Sequence, residues 1–142
     1  ALRAPWTMRL IGVAQAGQSG LSKVQYWLTP SDKPLPSGDR YFAAADWKDA
    51  EILPPPENWG SAFPGGKLPA IPDQIDEAGR PIEWPLRYTM AHWAALLHDV
   101  APGKYDLRCR TIDKNGVAQP MPRPFAKSGG NKIHSVRLAV RA

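Results

Sequence analysis

Few side chains in this sequence have the types and spacing that catalysis needs. There is one cysteine, Cys109. An internal disulfide is therefore excluded, as is a metal site built from several thiolates. The three histidines, His92, His98 and His134, do not follow a metal-ligand spacing; His92 and His98 stand six apart with Trp93 between them. Serine, histidine and aspartate all occur, but neither a nucleophile-elbow pattern nor a paired-carboxylate spacing is present. Gln15-Ala-Gly-Gln-Ser-Gly20 is glycine-rich. It lacks the following helix pattern and the Lys-Ser/Thr pair of a phosphate cradle, and reads as a connection between strands.

The elements that position these residues are strands. Tyr105, Leu107, Cys109 and Thr111 alternate with Lys104, Asp106, Arg108 and Arg110. A period of two sets the first group on one face and the charged group on the other, so the segment reads as a half-buried strand with one wet face. Cys109 then falls beside Tyr105 and Leu107 as a small core residue. Pro102-Gly103 turns the chain before this strand, and Asp113-Lys-Asn-Gly116 turns it after, with Asn115-Gly116 suited to positive φ. Gln119-Pro120 breaks any strand that follows.

The rest of the chain reads in the same terms. Residues 7–14 form a first strand in which Met8 and Leu10 share a face; Gly12 interrupts it, which suggests a bend or a close neighbouring backbone. Residues 21–28 form a second, with Val24, Tyr26 and Leu28 on one side and Lys23, Gln25 and Trp27 on the other. Pro30 to Asp39 is a Pro-rich excursion. Residues 40–47 suit a short helix or an extended segment equally, and residues 48–53 read as a strand. Residues 54–85 hold too many prolines for a long helix or a central strand. They are also too apolar for a free tail, so we expect an ordered insertion. Most of residues 84–97 reads as strand, less clearly in its Ala-rich end. The final strand spans 132–140, with Val136, Leu138 and Val140 sharing a face with His134.

The totals fit one all-β domain. The chain has 142 residues, 16 prolines and 12 glycines, a composition unsuited to a helical protein. Its formal charge is +5, spread without a basic run, which does not indicate a nucleic-acid partner. No apolar run approaches a membrane span. No secretory signal pattern opens the sequence, and the compartment, periplasmic or cytoplasmic, stays open. The chain begins at Ala1, and a fragment of a longer protein or a processed product is expected.

A strand tyrosine just after a Pro-Gly turn, with a small buried residue four positions on, is common in Ig-like β-sandwiches, where its hydroxyl bonds backbone near the corner. The stretch as a whole resembles the C-terminal dimerisation domain of sulfite-oxidase-type molybdopterin oxidoreductases. That family runs Gly-x-Tyr-x-Leu into Arg-Ala/Thr-x-Asp, a Gly turn and Gln-Pro; here stand Gly103, Tyr105, Leu107, Arg110, Thr111, Asp113, Gly116, Gln119 and Pro120. The resemblance extends over roughly 7–28 and 93–140, including Asn131 before the last strand. It departs after residue 28, where the Pro-rich excursion replaces a tight hairpin.

The resemblance implies an Ig-like β-sandwich of about seven strands, here with a long Pro-rich insertion near 54–85. It implies a non-catalytic role: packing against a preceding domain of the same polypeptide, which holds molybdopterin-molybdenum through a cysteine thiolate, and homodimer contact. Cys109 is not expected to be that ligand, since a thiolate ligand needs an accessible position. No cofactor, metal or catalytic residue is assigned to this chain. The family's loop between the first two strands approaches a substrate pocket in which an arginine holds an oxyanion. This loop offers Gln15, Gln18 and Ser19 instead, so no catalytic residue is carried over. Large apolar residues at edges and loops are the interface candidates: Trp59, Phe63, Trp84, Trp93 and Phe125. Tyr105, Leu107, Cys109, Val136 and Leu138 are the expected core. The alternative is a freestanding Ig-like or fibronectin-type module whose loop tryptophans, Trp6, Trp47, Trp59 and Trp84, bind a sugar or peptide.

Overall fold

A computed structural model of the chain describes residues 7–120 and 131–141. Six strands are present among them: β1 (Met8–Ala14), β2 (Leu21–Pro30), β3 (Lys48–Ile52), β4 (Ala91–Leu97), β5 (Gly103–Asp113) and β6 (His134–Val140). All pair antiparallel in the order β1-β4-β3-β2-β5-β6. The only helical pieces among the described residues are two short 3-10 turns, at Gly17–Ser19 and Pro64–Gly66.

The sheet curls because β3 serves two neighbours with different parts of a short strand. Lys48, Asp49 and Ala50 pair with β2, while Glu51 and Ile52 pair with β4. The β1/β4 half thereby turns its apolar side towards the β2/β5 half. The core is the result: Leu10, Ala14, Ala91 and Trp93 from one half meet Leu21, Val24, Leu107 and Cys109 from the other. A register shift between Leu21 and Lys23 places a bulge in β2. The extra residue lets Leu21 and Val24, an odd number of positions apart, both point inward, and both are almost fully buried.

Gly12 does not interrupt β1. It makes room for a ring: a Cβ on Gly12 would lie 2.6 Å from two ring carbons of Trp93, directly across the β1/β4 pair. Trp93, taken from its sequence context as an interface candidate, is therefore a core residue at 6 % exposure.

The turns around β5 behave as their residue types dictate. The Tyr105 hydroxyl donates to the Ala101 carbonyl at 2.9 Å, tying the strand to the corner it leaves. Beyond β5, the Asp113 carboxylate accepts from the backbone N–H groups of Asn115 and Val117 at 2.9 and 2.8 Å. Those bonds hold its pKa below the ordinary carboxylate value, the Val117 N–H most of all. Gly116 takes a φ of 80°, a conformation that costs glycine little. Gln119 then returns to β5: its backbone N–H donates to the Thr111 carbonyl, and its side-chain oxygen accepts from the Thr111 N–H.

Three expectations are corrected. Residues 85–90 are turns and bends, not strand, whereas the Ala-rich segment after them is β4. Tyr88 sits at a φ of 63°, which a strand does not accommodate. Residues 40–47 are neither helix nor strand but a series of turns. Val136, placed in the core by alternation, is 39 % exposed, because β6 is an edge strand whose inward side is only partly covered. Replacing Gly12 with alanine should destabilise the fold by about 2 kcal/mol, since the buried ring has no low-energy position to retreat to. Urea denaturation of the Gly12→Ala variant tests this, and an unchanged midpoint would mean that Trp93 is not packed as described.

Candidate functional site

Three features of the molecule have enough chemistry to be weighed as sites. The first is the charged face of β5, which is buried at Arg108 and half-buried at Asp106 and Arg110, while Lys104 stays exposed. Arg108 is 8 % exposed. Its guanidinium donates to the Thr29 hydroxyl at 3.2 Å and lies 3.6 Å from the Asp106 carboxylate. Trp27 and Phe42 cover it, their ring centroids 5.2 and 5.3 Å from its central carbon. Arg110 sits 4.2 Å over Trp47 and donates to Gln25, which donates in turn to Asp49. Burial pushes the Arg110 pKa below its ordinary value.

The cover comes from residues 39–47, which follow the Pro-rich excursion. Asp39 begins it by accepting the N–H groups of Ala43 and Ala44 at 2.9 and 3.0 Å, and these bonds hold the Asp39 carboxyl below its ordinary pKa. That turn brings Phe42 to 5.4 Å and Trp47 to 5.9 Å from Trp27. The Trp47 indole N–H donates to the Phe42 carbonyl. Cation–aromatic contacts of this kind, desolvated and hydrogen-bonded, stabilise a strand surface. With these donors turned inward, the cluster is structural and offers nothing to a ligand.

The second feature is a cleft of about 430 Å³ at the split between β2 and β4, where β3 no longer bridges them. Tyr26, Asp46, Lys48, His98, Asp99 and Tyr105 are among its lining residues. Charges of both signs line it, and no nucleophile there has an oriented base. The Thr7 hydroxyl lies 3.5 Å from Nδ1 of His98, both exposed, and among the described residues no carboxylate is hydrogen-bonded to that ring. Such a contact is too long and too wet to activate a hydroxyl.

The third feature is Cys109. It is buried in the core, and burial pushes its thiol pKa up to about 11. A metal ligand or nucleophile needs the thiolate, so this side chain is suited to neither. Among the described residues no group of three or more His, Cys, Asp and Glu is placed to hold a metal ion.

The remaining predicted residues are dispersed. Leu107 and Cys109 belong to the central core, and Leu138 packs against it. Trp84 is half-buried, packs against the core and donates its indole N–H to the Leu53 carbonyl at 2.8 Å. Trp59 meets it edge-on at 5.6 Å. Phe63, in the segment between β3 and β4, is 49 % exposed. Phe125 and Trp6 lie outside the described residues. In the loop after β1, Gln15 donates to the Tyr88 carbonyl and Ser19 to the Ala16 carbonyl, so both are spent on holding the loop. Sequence reasoning missed the role of Phe42 and Trp47 as a cover; the two arginines at alternate positions of β5 were the available signal.

No family model matches the chain, and no curated protein matches it. The chemistry of Cys109 can be read directly. In the folded protein at pH 8, iodoacetamide should label this thiol at least about 100-fold more slowly than in urea, given its burial and raised pKa. Labelling at the unfolded rate would place Cys109 at the surface and reopen it as a ligand.

Proposed function

We propose that this chain is a dimerisation and interdomain-packing domain, of the Ig-like sandwich type with a long Pro-rich insertion, from a sulfite-oxidase-like molybdenum-cofactor oxidoreductase. It performs no redox chemistry itself. The observation that carries the reading is the order of residues from Gly103 to Pro120, which resembles the corresponding stretch of that family. Several positions in that order have a physical task here. Tyr105 closes the corner through Ala101. Leu107 fills the core. Asp113 and Gly116 make the turn. Gln119 restores both backbone hydrogen bonds of Thr111.

The molybdenum and its pterin belong, in this reading, to a preceding domain of the same polypeptide. The residues of this chain do not fit the group: its one thiol is buried with a pKa of about 11, and no step of the chemistry passes through it. The domain's contribution is mechanical, a rigid body that fixes the position of its neighbours.

The freestanding binding module is the weaker reading. It needs tryptophans that present open faces. Instead Trp47 stacks under Arg110, Trp84 is hydrogen-bonded and half-buried, and Trp59 is set against Trp84. A sugar platform has no obvious place among them.

The test is the coding region upstream of Ala1 together with the metal content of the complete gene product. An in-frame α+β domain with one well-placed cysteine, and about one molybdenum per polypeptide as that single-thiolate site requires, is the expected result. A stop codon or a secretory signal immediately upstream, with no molybdenum in the protein, would overturn the proposal in favour of the binding module.

A further inference from the structure

The outer face of β1 and β4 is apolar where a solvent-facing strand surface is ordinarily polar. Arg9, Ile11 and Val13 point away from the core, and Ile11 and Val13 are 66 % and 55 % exposed. Across the pair, Arg9 is opposite Leu96, Ile11 opposite Ala94 and Val13 opposite His92. Leu96 is 53 % exposed, and Met90, just before β4, is 64 % exposed. The result is a continuous apolar patch with Arg9, His92 and Glu51 around it. It is also continuous with a free sheet edge, since β1 is the terminal strand.

We infer that this face receives a second copy of the chain. The charges select that occupant. Arg9 stands on the β1 side of the patch and Glu51 on the β3 side, opposite Ala94, with β4 between them. Neither forms an ion pair among the described residues. An isologous contact brings residue i to residue j and j to i. A twofold axis lying in the interface and crossing β4 between Ala94 and Leu96 carries Arg9 of each copy to Glu51 of the other. It sets the two apolar patches face to face at the same time. An apolar centre with a polar, charge-matched rim is the ordinary anatomy of such a contact. The outer face of β2 and β5 cannot serve, because the segment bearing Phe42 and Trp47 already covers it.

The inference rests on the dimerisation reading only for the expectation that copies pair; the choice of face comes from exposure, register and charge. It replaces the insertion and its aromatic residues as the proposed contact.

Sedimentation of the full chain over a range of concentrations tests it. The wild-type chain should dimerise. Ile11→Asp should weaken the dimer about 100-fold by burying an unpaired charge. At concentrations where both proteins are monomeric its thermal midpoint should match wild type, because Ile11 is exposed in the monomer and the substitution disturbs no core contact. Arg9→Glu and Glu51→Arg should each weaken the dimer about tenfold, and the double swap should return it to within about threefold of wild type. Ile82→Asp, at a position 60 % exposed on the insertion, should change nothing.

A dimer that survives Ile11→Asp but is broken by Ile82→Asp would overturn the choice of face and leave the dimerisation reading standing. Failure of the double swap to restore the dimer would overturn the twofold pairing of Arg9 with Glu51. A wild-type chain that stays monomeric at every concentration would overturn the inference altogether, while the molybdenum content of the complete protein would still decide the functional reading.

Discussion

A guanidinium buried in the middle of a sheet constrains everything around it. Arg108 is nearly inaccessible, and a charge so placed is costly unless it is paired and hydrogen-bonded. Thr29 and Asp106 supply the polar partners and Trp27 and Phe42 the cover. None of these is free to vary alone. β2 must run alongside β5 in the register that puts Trp27 opposite Arg108. The chain after β2 must double back far enough to bring Phe42 and Trp47 over it. The turn at Asp39 is the device that does so. Around Arg108, β5 is thus enclosed on both sides: its apolar side closes the core and its charged side closes a second, cation–aromatic layer.

The packing role proposed above is consistent with that arrangement. The strand carrying the most distinctive residues is the most enclosed, and its one thiol is sealed in the core. An exposed apolar face lies on β1 and β4, where Ile11, Val13 and Leu96 are open to solvent. In the proposed reading, an enclosed interior and such a face serve a packing domain.

Much of the fold is legible from period-two alternation. The strands at 8–14, 21–30, 48–52, 103–113 and 134–140 lie within about two residues of where alternation places them, although the bulge in β2 and the exposure of Val136 depart from it, and the tyrosine and Asn-Gly turns announce the ends of β5. What alternation does not say is what covers a face. It separates Arg108 and Arg110 from Leu107 and Cys109, but the charged side reads as wet because Phe42 and Trp47 stand far away in the sequence, in an irregular segment. Periodicity is local, whereas burial is decided by the chain as a whole. The same limit explains Trp93: a large apolar residue nominated for an edge reads as an interface candidate until Gly12, far earlier in the chain, is seen to be its socket. The bulge in β2 leaves only a faint trace in the sequence, the odd spacing between Leu21 and Val24, two apolar residues that share one face.

The claim that β5 is enclosed on both sides by interactions that depend on one another is open to a direct measurement. A double-mutant cycle between Arg108 and Trp27, using Arg108→Met and Trp27→Leu and equilibrium urea denaturation, isolates their interaction from the rest of the fold. A coupling of about 1 kcal/mol is predicted for a desolvated cation–aromatic contact. Costs that simply add, with a coupling below about 0.3 kcal/mol, would contradict it and would return the charged face of β5 to solvent.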